Sequence, residues 1–400
     1  MNKLIGPITA LALLGIAPSV AAQQGAPAQP AAQRGSLDEI VVSASRRDER
    51  LQDVPIAITA LGQEELDRRE ITGVADLQSQ TPGLVYAHVT GMAQITMRGV
   101  GTDLYSVAAE PGVAIYMDDM YIARTFMSHA AMVELERVEI LRGPQGTLYG
   151  RNTSGGAIKF ITKQPSAEFE AEGAVQYGGY DQFQGRASLT GPIFSDRLRA
   201  RLSIFAEDRE GWTKNLAGGD DLEAHRALSG RLAVVGDVTD NINIGLTLER
   251  QEQVDTGPTL HGLTPVIGTA LSDSAALPLL APFDVTIAQL EANLGFALEP
   301  IFDALVDQAG GGYSPEGHEI YNDFPPYAEL ETTGITGTLG WDLGFANFKA
   351  IGGYRDNERD LSYDTDGSDL PLLRFNPYYQ QGRQYSLELQ LMGPGENRLN

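Results

Sequence analysis

The order of hydrophobic and polar positions divides this chain of 400 residues into three stretches. An apolar run occupies residues 4–17, short apolar segments closed by Gly, Asp or Pro fill residues 50–163, and the residues beyond 166 alternate between apolar and polar side chains. A period of two is typical of strands that shield only one face from water. The pattern therefore predicts a small folded domain followed by a long run of antiparallel strands.

The middle stretch predicts a mixed α/β domain. Residues 54–62 have the pattern of a strand, residues 63–70 begin with acidic side chains as a helix does in its first turn, and residues 74–77 continue as a second helical turn. Further strand segments are residues 95–99, 112–118, 138–144 and the end of the glycine-rich stretch 146–162. Short strands and one helix within so few residues predict a compact domain with a single core.

Eight alternating segments follow this domain. They predict strands near residues 168–177, 183–190, 198–207, 225–235, 241–251, 331–342, 347–358 and 383–392. The clearest apolar rows are Ile242, Ile244, Leu246 and Leu248 in one strand and Tyr385, Leu387, Leu389 and Leu391 in another. Short connections alternate with long ones at residues 209–224, 252–330 and 359–382. One strand alone fits a water-soluble sandwich equally well, but short turns on one side and long loops on the other are typical of transmembrane β-barrels.

Composition and charge exclude several classes of protein. Lys and Arg number 29 against 53 Asp and Glu, so the net charge of −24 would repel a phosphate backbone and argues against a nucleic-acid partner. The chain has no cysteine, which excludes disulfides and thiolate metal sites. No apolar stretch reaches the roughly 20 residues of a membrane helix, whereas barrel strands need only short, half-apolar segments.

The first residues have the features of an export signal. Lys3 precedes the apolar run, and Val20 and Ala22 are the small residues that a signal peptidase requires, so cleavage is expected before Gln23. We therefore interpret residues 1–22 as a signal peptide. Residues 23–37 are rich in Pro, Ala and Gln, cannot bury a core, and are interpreted as a flexible periplasmic tether.

Residues 38–44, DEIVVSA, form an isolated β-prone heptad after this tether. Such a heptad can be the first strand of the following domain or can pair its edge with a strand of a partner protein. DEIVVSA resembles the TonB box, and residues 135–163, LERVEILRGPQGTLYGRNTSGGAIKFITK, resemble the end of the plug domain of TonB-dependent outer-membrane receptors. The resemblance implies a TonB box at residues 38–44, a plug at 50–163 and the N-terminal part of a barrel at 166–400.

The resemblance also implies roles for particular residues. Inner-membrane TonB would bind Asp38, Glu39, Ile40, Val41, Val42, Ser43 and Ala44. Arg98 and Arg142 match the arginines of "RG" turns that pair with glutamates on the barrel wall in this family, although exposed turn arginines have the same sequence pattern. Buried arginines need such carboxylates to offset the cost of desolvation. Aromatic residues that could face a ligand are Tyr86, Tyr105, Tyr121 and Phe126, although aromatics in a compact domain are more often core.

Eight strands are too few to enclose a plug, because plugged transporters use about 22. We therefore expect an incomplete receptor whose glutamate partners for Arg98 and Arg142 lie in missing strands. The 400 residues alone are expected to aggregate rather than to give a protease-resistant barrel, because hydrocarbon does not tolerate unpaired strand edges.

The function implied is energy-coupled import of a scarce extracellular ligand across the outer membrane of a Gram-negative bacterium, with a ferric siderophore as the first choice of cargo. Cobalamin, oligosaccharides and haem remain alternatives, as does a signalling receptor, which would need a further domain ahead of the coupling box. The five histidines are scattered and no H-E-x-x-H or G-x-S-x-G motif occurs, so neither an enzyme, a resident cofactor nor a metal site is predicted.

Overall fold

A computed structural model of the chain describes residues 41–43, 46–47, 49–69, 71, 73–89, 92–102, 110–124, 134–257, 318–320, 322, 324, 326–364 and 374–393. Every described residue belongs to one compact unit, residues 40–400. The predicted signal peptide and tether lie outside the described residues, as do Asp38, Glu39, Ile40, Ala44, Tyr105 and Phe126. No helix in the described ranges is long and apolar enough to cross a membrane.

The described residues up to Thr162 contain ten short strands and two short helices. The strands are β1 Val41–Val42, β2 Glu49–Arg50, β3 Ile58–Gly62, β4 Leu84–Val89, β5 Met92–Met97, β6 Val100–Gly101, β7 Val113–Met117, β8 Met120–Ile122, β9 Leu135–Arg142 and β10 Gly156–Thr162. The helices are α1 Gln63–Arg68 and the single turn α2 Gly146–Tyr149. The predicted second helical turn is a 3-10 turn over Asp76–Ser79, which Pro82 and the positive φ of Gly83 prevent from continuing.

Strands β3, β9, β10, β7 and β8 form one sheet in that order, with β10 parallel to β7 and the other pairs antiparallel. A second sheet of β4, β5 and β6 lies beside it. The core between these elements includes Leu61, Leu77, Met97, Val138, Ile140, Ile158 and Phe160. Burying each such side chain stabilises the fold by roughly 1.5–3 kcal/mol. The predicted mixed α/β domain is confirmed, with strands ended by the Gly, Asp and Pro residues that marked them.

The described residues after Thr162 contain ten more strands. They are β11 Glu170–Tyr177, β12 Phe183–Ser195, β13 Leu198–Arg209, β14 Lys214–Asn215, β15 His225–Thr239, β16 Ile242–Asp255, β17 Glu319–Ile320, β18 Tyr327–Asp342, β19 Asn347–Asp364 and β20 Arg374–Met392. Strands β14 and β17 pair with each other in parallel. The other eight form one antiparallel sheet in chain order, called here the wall. Among the described residues, β11 and β20 are not paired with each other, so these eight strands form no closed barrel.

Each of the eight predicted strands is present, but several are longer than predicted. The predicted long connection at 359–382 is wrong, because β19 continues to Asp364 and β20 begins at Arg374. The backbone ladder there extends through polar residues on both faces, for example at the pair Asp360 and Tyr379. The alternation of apolar and polar residues ends at the edge of the outward apolar band. The hydrogen bonds between β19 and β20 continue beyond that edge, so the alternation underestimates the length of these strands.

The two faces of the wall differ as the alternation predicted. Apolar side chains point outward and are exposed, as are Leu246, Leu387 and Leu391. The opposite face carries buried polar side chains that face the plug, including Thr190, Arg201, Ser203, Arg231, Thr332, Arg355 and Asn357. A sheet that is apolar outside and polar inside is the transmembrane barrel arrangement.

Candidate functional site

The polar inner face of the wall holds the preceding domain through a small number of ion pairs. Glu134, directly before β9, accepts hydrogen bonds from both Nε and Nη2 of Arg201 at 2.8 and 2.7 Å. Ser203 also donates to this carboxylate, and Arg201 donates to Ser188 at 3.0 Å. Burial alone would raise the pKa of Glu134, but these hydrogen bonds lower it to about 2. The carboxylate is therefore ionised and fixed at neutral pH.

A second contact is made by the tip of the hairpin that joins β7 to β8. Asp118 and Asp119 occupy the two central positions with φ of 47° and 66°, as a two-residue hairpin turn requires, although Asn-Gly is the usual sequence there. Asp118 accepts a hydrogen bond from Arg231 at 3.0 Å and two more from Thr162. Lys349 of β19 donates to Asp119 at 2.6 Å. The hairpin tip thus binds two separate strands of the wall.

The hairpin also comes close to the backbone of the wall. A Cβ atom added to Gly353 would lie 2.6 Å from Sδ of Met120, the residue that follows the two aspartates. A larger residue at this position would require the end of the Met120 side chain to move. The ion pairs of Asp118 and Asp119 are therefore backed by close packing at the same point.

The described part of the predicted coupling segment, Val41–Ser43, is folded onto the first domain. Val41 and Val42 pair antiparallel with Glu49 and Arg50, and the side chain of Val42 is completely buried. Ser43 donates its backbone N–H to Glu139 at 2.9 Å. The segment therefore occupies the position of a first strand, one of the two alternatives that its sequence allows.

Ser43 rests on a buried pair of opposite charges. Glu139 and Lys159 face each other across β9 and β10 and are almost fully buried. Lys159 Nζ donates to Ser43 Oγ at 2.5 Å and lies 3.1 Å from Asp119. Burial by itself would raise the pKa of Asp119, but Lys159 and Lys349 together hold it well below its usual range. Asp119 therefore contacts both Lys159, which donates to the coupling segment, and Lys349 of the wall, and so links the two.

Arg98 and Arg142 lie in the predicted "RG" turns, each followed by a glycine of positive φ. A Cβ atom added to Gly143 would lie 3.8 Å from Nη1 of Arg98, so the two turns are adjacent. Neither arginine has an ion pair among the described residues, and Nε of Arg142 is buried there without a hydrogen-bond partner. Their pairing with wall glutamates stays a prediction.

The two described aromatic candidates lie between the core and the wall. Tyr86 packs against the main core, and burial raises its pKa to about 12. Tyr121 accepts a hydrogen bond from Asn152 at 2.8 Å, and its backbone carbonyl accepts one from Gln384 of β20. These contacts hold Tyr86 and Tyr121 within the protein, and the role of the two residues toward a ligand stays a prediction.

Glu134, Asp118 and Asp119 were not identified as interface residues from the sequence. The sequence does carry a weak signal for the aspartates, because two adjacent acids between apolar strand residues are unusual turn residues. Their cationic partners on the wall lie between 67 and 230 positions further along the chain. Among the described residues, no group of three or more His, Asp or Glu side chains is arranged to hold a metal ion.

Comparisons with known proteins agree with this arrangement. Residues 50–157 match the family model described as the TonB-dependent receptor plug domain. The chain is similar to the pesticin receptor of Yersinia pestis, with 32% identity over 216 residues that cover 52% of this chain and 31% of that protein. It is also similar to the metal-pseudopaline receptor CntO of Pseudomonas aeruginosa, with 30% identity over 193 residues that cover 48% of this chain and 26% of that protein.

The fold is similar to that of the ferric yersiniabactin uptake receptor FyuA from Yersinia pestis. The TM-score is 0.64 at 21% identity, over 86% of this chain and 46% of that one. The chain thus spans between about a quarter and a third of the length of the two curated relatives. On these matches residues 50–157 are a plug domain of the TonB-dependent receptor family, and the chain, with its plug and the eight strands of the wall, is similar to the N-terminal part of such outer-membrane receptors.

Proposed function

We propose that the receptor carrying this chain imports a scarce extracellular ligand and is driven by TonB. The observation that carries the proposal is the mode of plug attachment. The plug contacts the wall through ion pairs such as Glu134 with Arg201 and Asp119 with Lys349. Ion pairs can be separated and reformed with little net change in free energy when water replaces each partner. Such an interface suits a plug that must move for each transport event.

The coupling role is assigned to residues 38–44. Val41 exposes its side chain, while the backbone of Val41 and Val42 uses one edge to pair with Glu49 and Arg50. A TonB strand would compete for this backbone or use the opposite edge, because strand addition is a main-chain interaction. The outer membrane has no nucleotide pool, so the work of import must come mechanically from such a partner.

A ferric siderophore is the proposed cargo, carried as a ligand and not as a resident cofactor. FyuA is named as a ferric yersiniabactin uptake receptor, and the pesticin receptor is a relative with significant identity. A chelate of another metal is the second candidate, because CntO is named as a receptor for a metal-pseudopaline complex without restriction to iron. Uptake of radioactive iron, nickel and zinc, each presented with siderophore extracts, would separate the two candidates.

The test of coupling is a proline at Val41. Val41→Pro removes the backbone donor of the coupling segment and is expected to reduce uptake by at least tenfold while ligand binding to the cell surface is retained. Val41→Ala keeps the backbone intact and is the matched control, with uptake expected within about twofold of the parent. Normal uptake by Val41→Pro would refute the assignment of residues 38–44, and uptake that persists after a protonophore is added would refute energy coupling itself.

A further inference from the structure

Two long connections of the wall are bonded to each other by a short stretch of sheet. The connection from β13 to β15 contains β14, the connection from β16 to β18 contains β17, and these two strands pair in parallel. Lys214 donates its backbone N–H to the carbonyl of His318, and Leu216 donates to the carbonyl of Ile320, both at 2.8 Å. Both connections leave the end of the wall opposite its short turns. Main-chain hydrogen bonds therefore join them at some distance from the strands that they connect.

Two asparagines close this pairing with reciprocal hydrogen bonds. Nδ2 of Asn215 donates to the carbonyl of Asn322 at 3.0 Å, and Oδ1 of Asn215 accepts the N–H of Asn322 at 3.1 Å. The same carboxamide donates to the carbonyl of Gly218 at 2.9 Å and accepts from the N–H of Ala217 at 3.1 Å. Asn215 thus pairs with the backbone of the other connection as a strand residue would, while its own connection fixes its orientation. We call the reciprocal pair of Asn215 and Asn322 the asparagine clasp.

The connections bury a small core around the clasp. Thr213, Leu222, Ile320 and Asn322 are between 1% and 4% exposed. Thr213 and Leu222 exchange backbone hydrogen bonds, and the hydroxyl of Thr213 donates to the carboxylate of Glu223 at 2.9 Å. Surface connections usually expose their side chains and are more mobile than the elements they join. Connections with a buried core and satisfied polar groups are expected to keep their shape.

This core continues into the strands of the wall. The guanidinium of Arg209, at the end of β13, lies 4.1 Å from the ring centroid of Trp212 and donates to the carbonyl of Glu223 at 3.1 Å. Thr256 donates its N–H to the carbonyl of Ala224 at 3.0 Å and accepts the N–H of Ala224 on its hydroxyl at 2.8 Å. The two connections are therefore attached to each other twice, at their bases and again at the clasp.

We propose that the asparagine clasp is a permanent lock, which joins the two connections into one rigid rim that does not open during a transport cycle. The proposal rests on the proposed function for the cycle itself and adds that this part of the rim is preformed. A connection attached only at its base can swing toward a ligand. One attached at two points can do so only by breaking the pairing of β14 with β17. Movement over a bound ligand therefore has to come from other parts of the receptor.

A cross-link tests whether the rim opens. Lys214 and Glu319 lie directly opposite each other in the parallel pair, and the chain has no cysteine of its own. Neighbouring strands are about 4.8 Å apart, so Lys214→Cys with Glu319→Cys is expected to form a disulfide. Uptake of radioactive iron presented with siderophore extracts is measured on cells before and after reduction. The oxidised receptor is expected to import within about twofold of the reduced one, because the lock stays closed. Each single cysteine variant, treated with the same oxidant, is the control.

Loss of uptake on oxidation that is restored by a reductant would overturn the proposal, since the connections would then have to separate. Failure of the two thiols to cross-link would overturn it as well, because the connections would not be paired in the membrane. Absence of uptake by the unmodified receptor would instead refute the proposed function, and it would leave the second measurement interpretable.

The second measurement needs no transport. Ile320→Cys places a thiol at a buried position of the rim, and its rate of modification by a maleimide is followed on cells. Asn215→Ala is expected to raise this rate by about tenfold, because it leaves Asn322 without both partners. Asp220→Ala, at an exposed position of the same connection, is the matched control and should change the rate by less than about twofold. Lys214→Cys supplies the rate of an exposed thiol.

An equal rate for Asn215→Ala and Asp220→Ala would show that the clasp holds nothing and would contradict the proposal. A rise in the rate of Ile320→Cys on addition of siderophore extract would contradict it too, because the rim would then open when a ligand binds. Asn215→Asp keeps the acceptor Oδ1 and loses the donor Nδ2, so its rate should lie between those of the parent and Asn215→Ala.

Discussion

The plug and the wall are both built from strands, but they place their apolar side chains in opposite ways. In the plug, Ile140, Ile158 and Phe160 are buried between two sheets, as in a water-soluble domain. In the wall, Leu387 and Leu389 point outward and are exposed, while polar side chains fill the inner face. A contiguous exposed apolar face of this kind is compatible with lipid and not with water.

This difference determines what holds the two regions together. Because the wall turns a largely polar face toward the plug, charges and hydrogen bonds join the two regions, beside the packing of Met120 against the wall. The plug keeps its own hydrophobic core and does not need the wall to complete it. Internal stability and attachment are therefore supplied by different interactions, so that one can be altered without the other.

The largest effect is expected from breaking the attachment at its most buried pair. Arg201→Met leaves Glu134 without its bidentate partner in a site where both side chains are nearly inaccessible, which should destabilise plug docking by about 3–5 kcal/mol. The measurement is the urea concentration at which the plug becomes susceptible to protease. Arg197→Gln, which removes an exposed pair with Asp240, is the control. Equal midpoints for the two variants would show that the plug is not held by Glu134.

A charge on the outer face tests the assignment of that face to lipid. Leu246 in the wall and Val85 in the plug have similar exposed fractions, 47% and 55%. Leu246→Arg should cost about 2–4 kcal/mol near the middle of a bilayer, whereas Val85→Arg should cost well under about 1 kcal/mol because Val85 belongs to the plug and not to the outward apolar rows of the wall. The amounts of folded receptor in outer membranes give the comparison. Similar amounts for the two arginine variants would contradict a lipid-facing row at Leu246.

Acid should weaken the attachment before it unfolds the plug core. The pKa of Glu134 is lowered in the folded protein from 4.5 to about 2, so its contribution is complete above pH 4.5 and is lost as the pH falls through about 2. The pKa of Asp119 is lowered as well, and it acts in the same direction. Protease susceptibility of the plug is measured from pH 6 to pH 2. Glu134→Gln should remove part of this pH dependence, and an unchanged profile would refute the role of Glu134.

The smallest effect is expected for ion pairs that lie within the wall and do not contact the plug. Arg250 pairs with Glu252 and Glu331 on the wall, and all three side chains are substantially exposed. Arg250→Gln should change stability by less than about 1 kcal/mol, because exposed pairs are screened by water and salt. Thermal unfolding of the folded receptor gives the value. A loss comparable to that of Arg201→Met would show that burial does not distinguish the interface pairs from the others.

Much of the fold was readable from local pattern. The alternation at Ile242, Ile244, Leu246 and Leu248 correctly predicted a strand with an outward apolar row. The extents of β19 and β20 were not readable, because their ladder continues where side chains on both faces are polar. Motif resemblance correctly predicted the family, while the roles of Arg98, Arg142 and residues 38–44 remain predictions.

The sequence by itself determined the order of the regions, the strand type and which side chains of a strand share a face. These follow from period-two patterning and turn residues, which act between neighbours in the chain. Only the tertiary structure decided that Glu134 meets Arg201, that Asp119 meets Lys349, and that Asn215 meets Asn322. A charged side chain in an alternating strand has the same pattern whether it faces water or a carboxylate. Its partner is chosen by the packing of strands far apart in the chain.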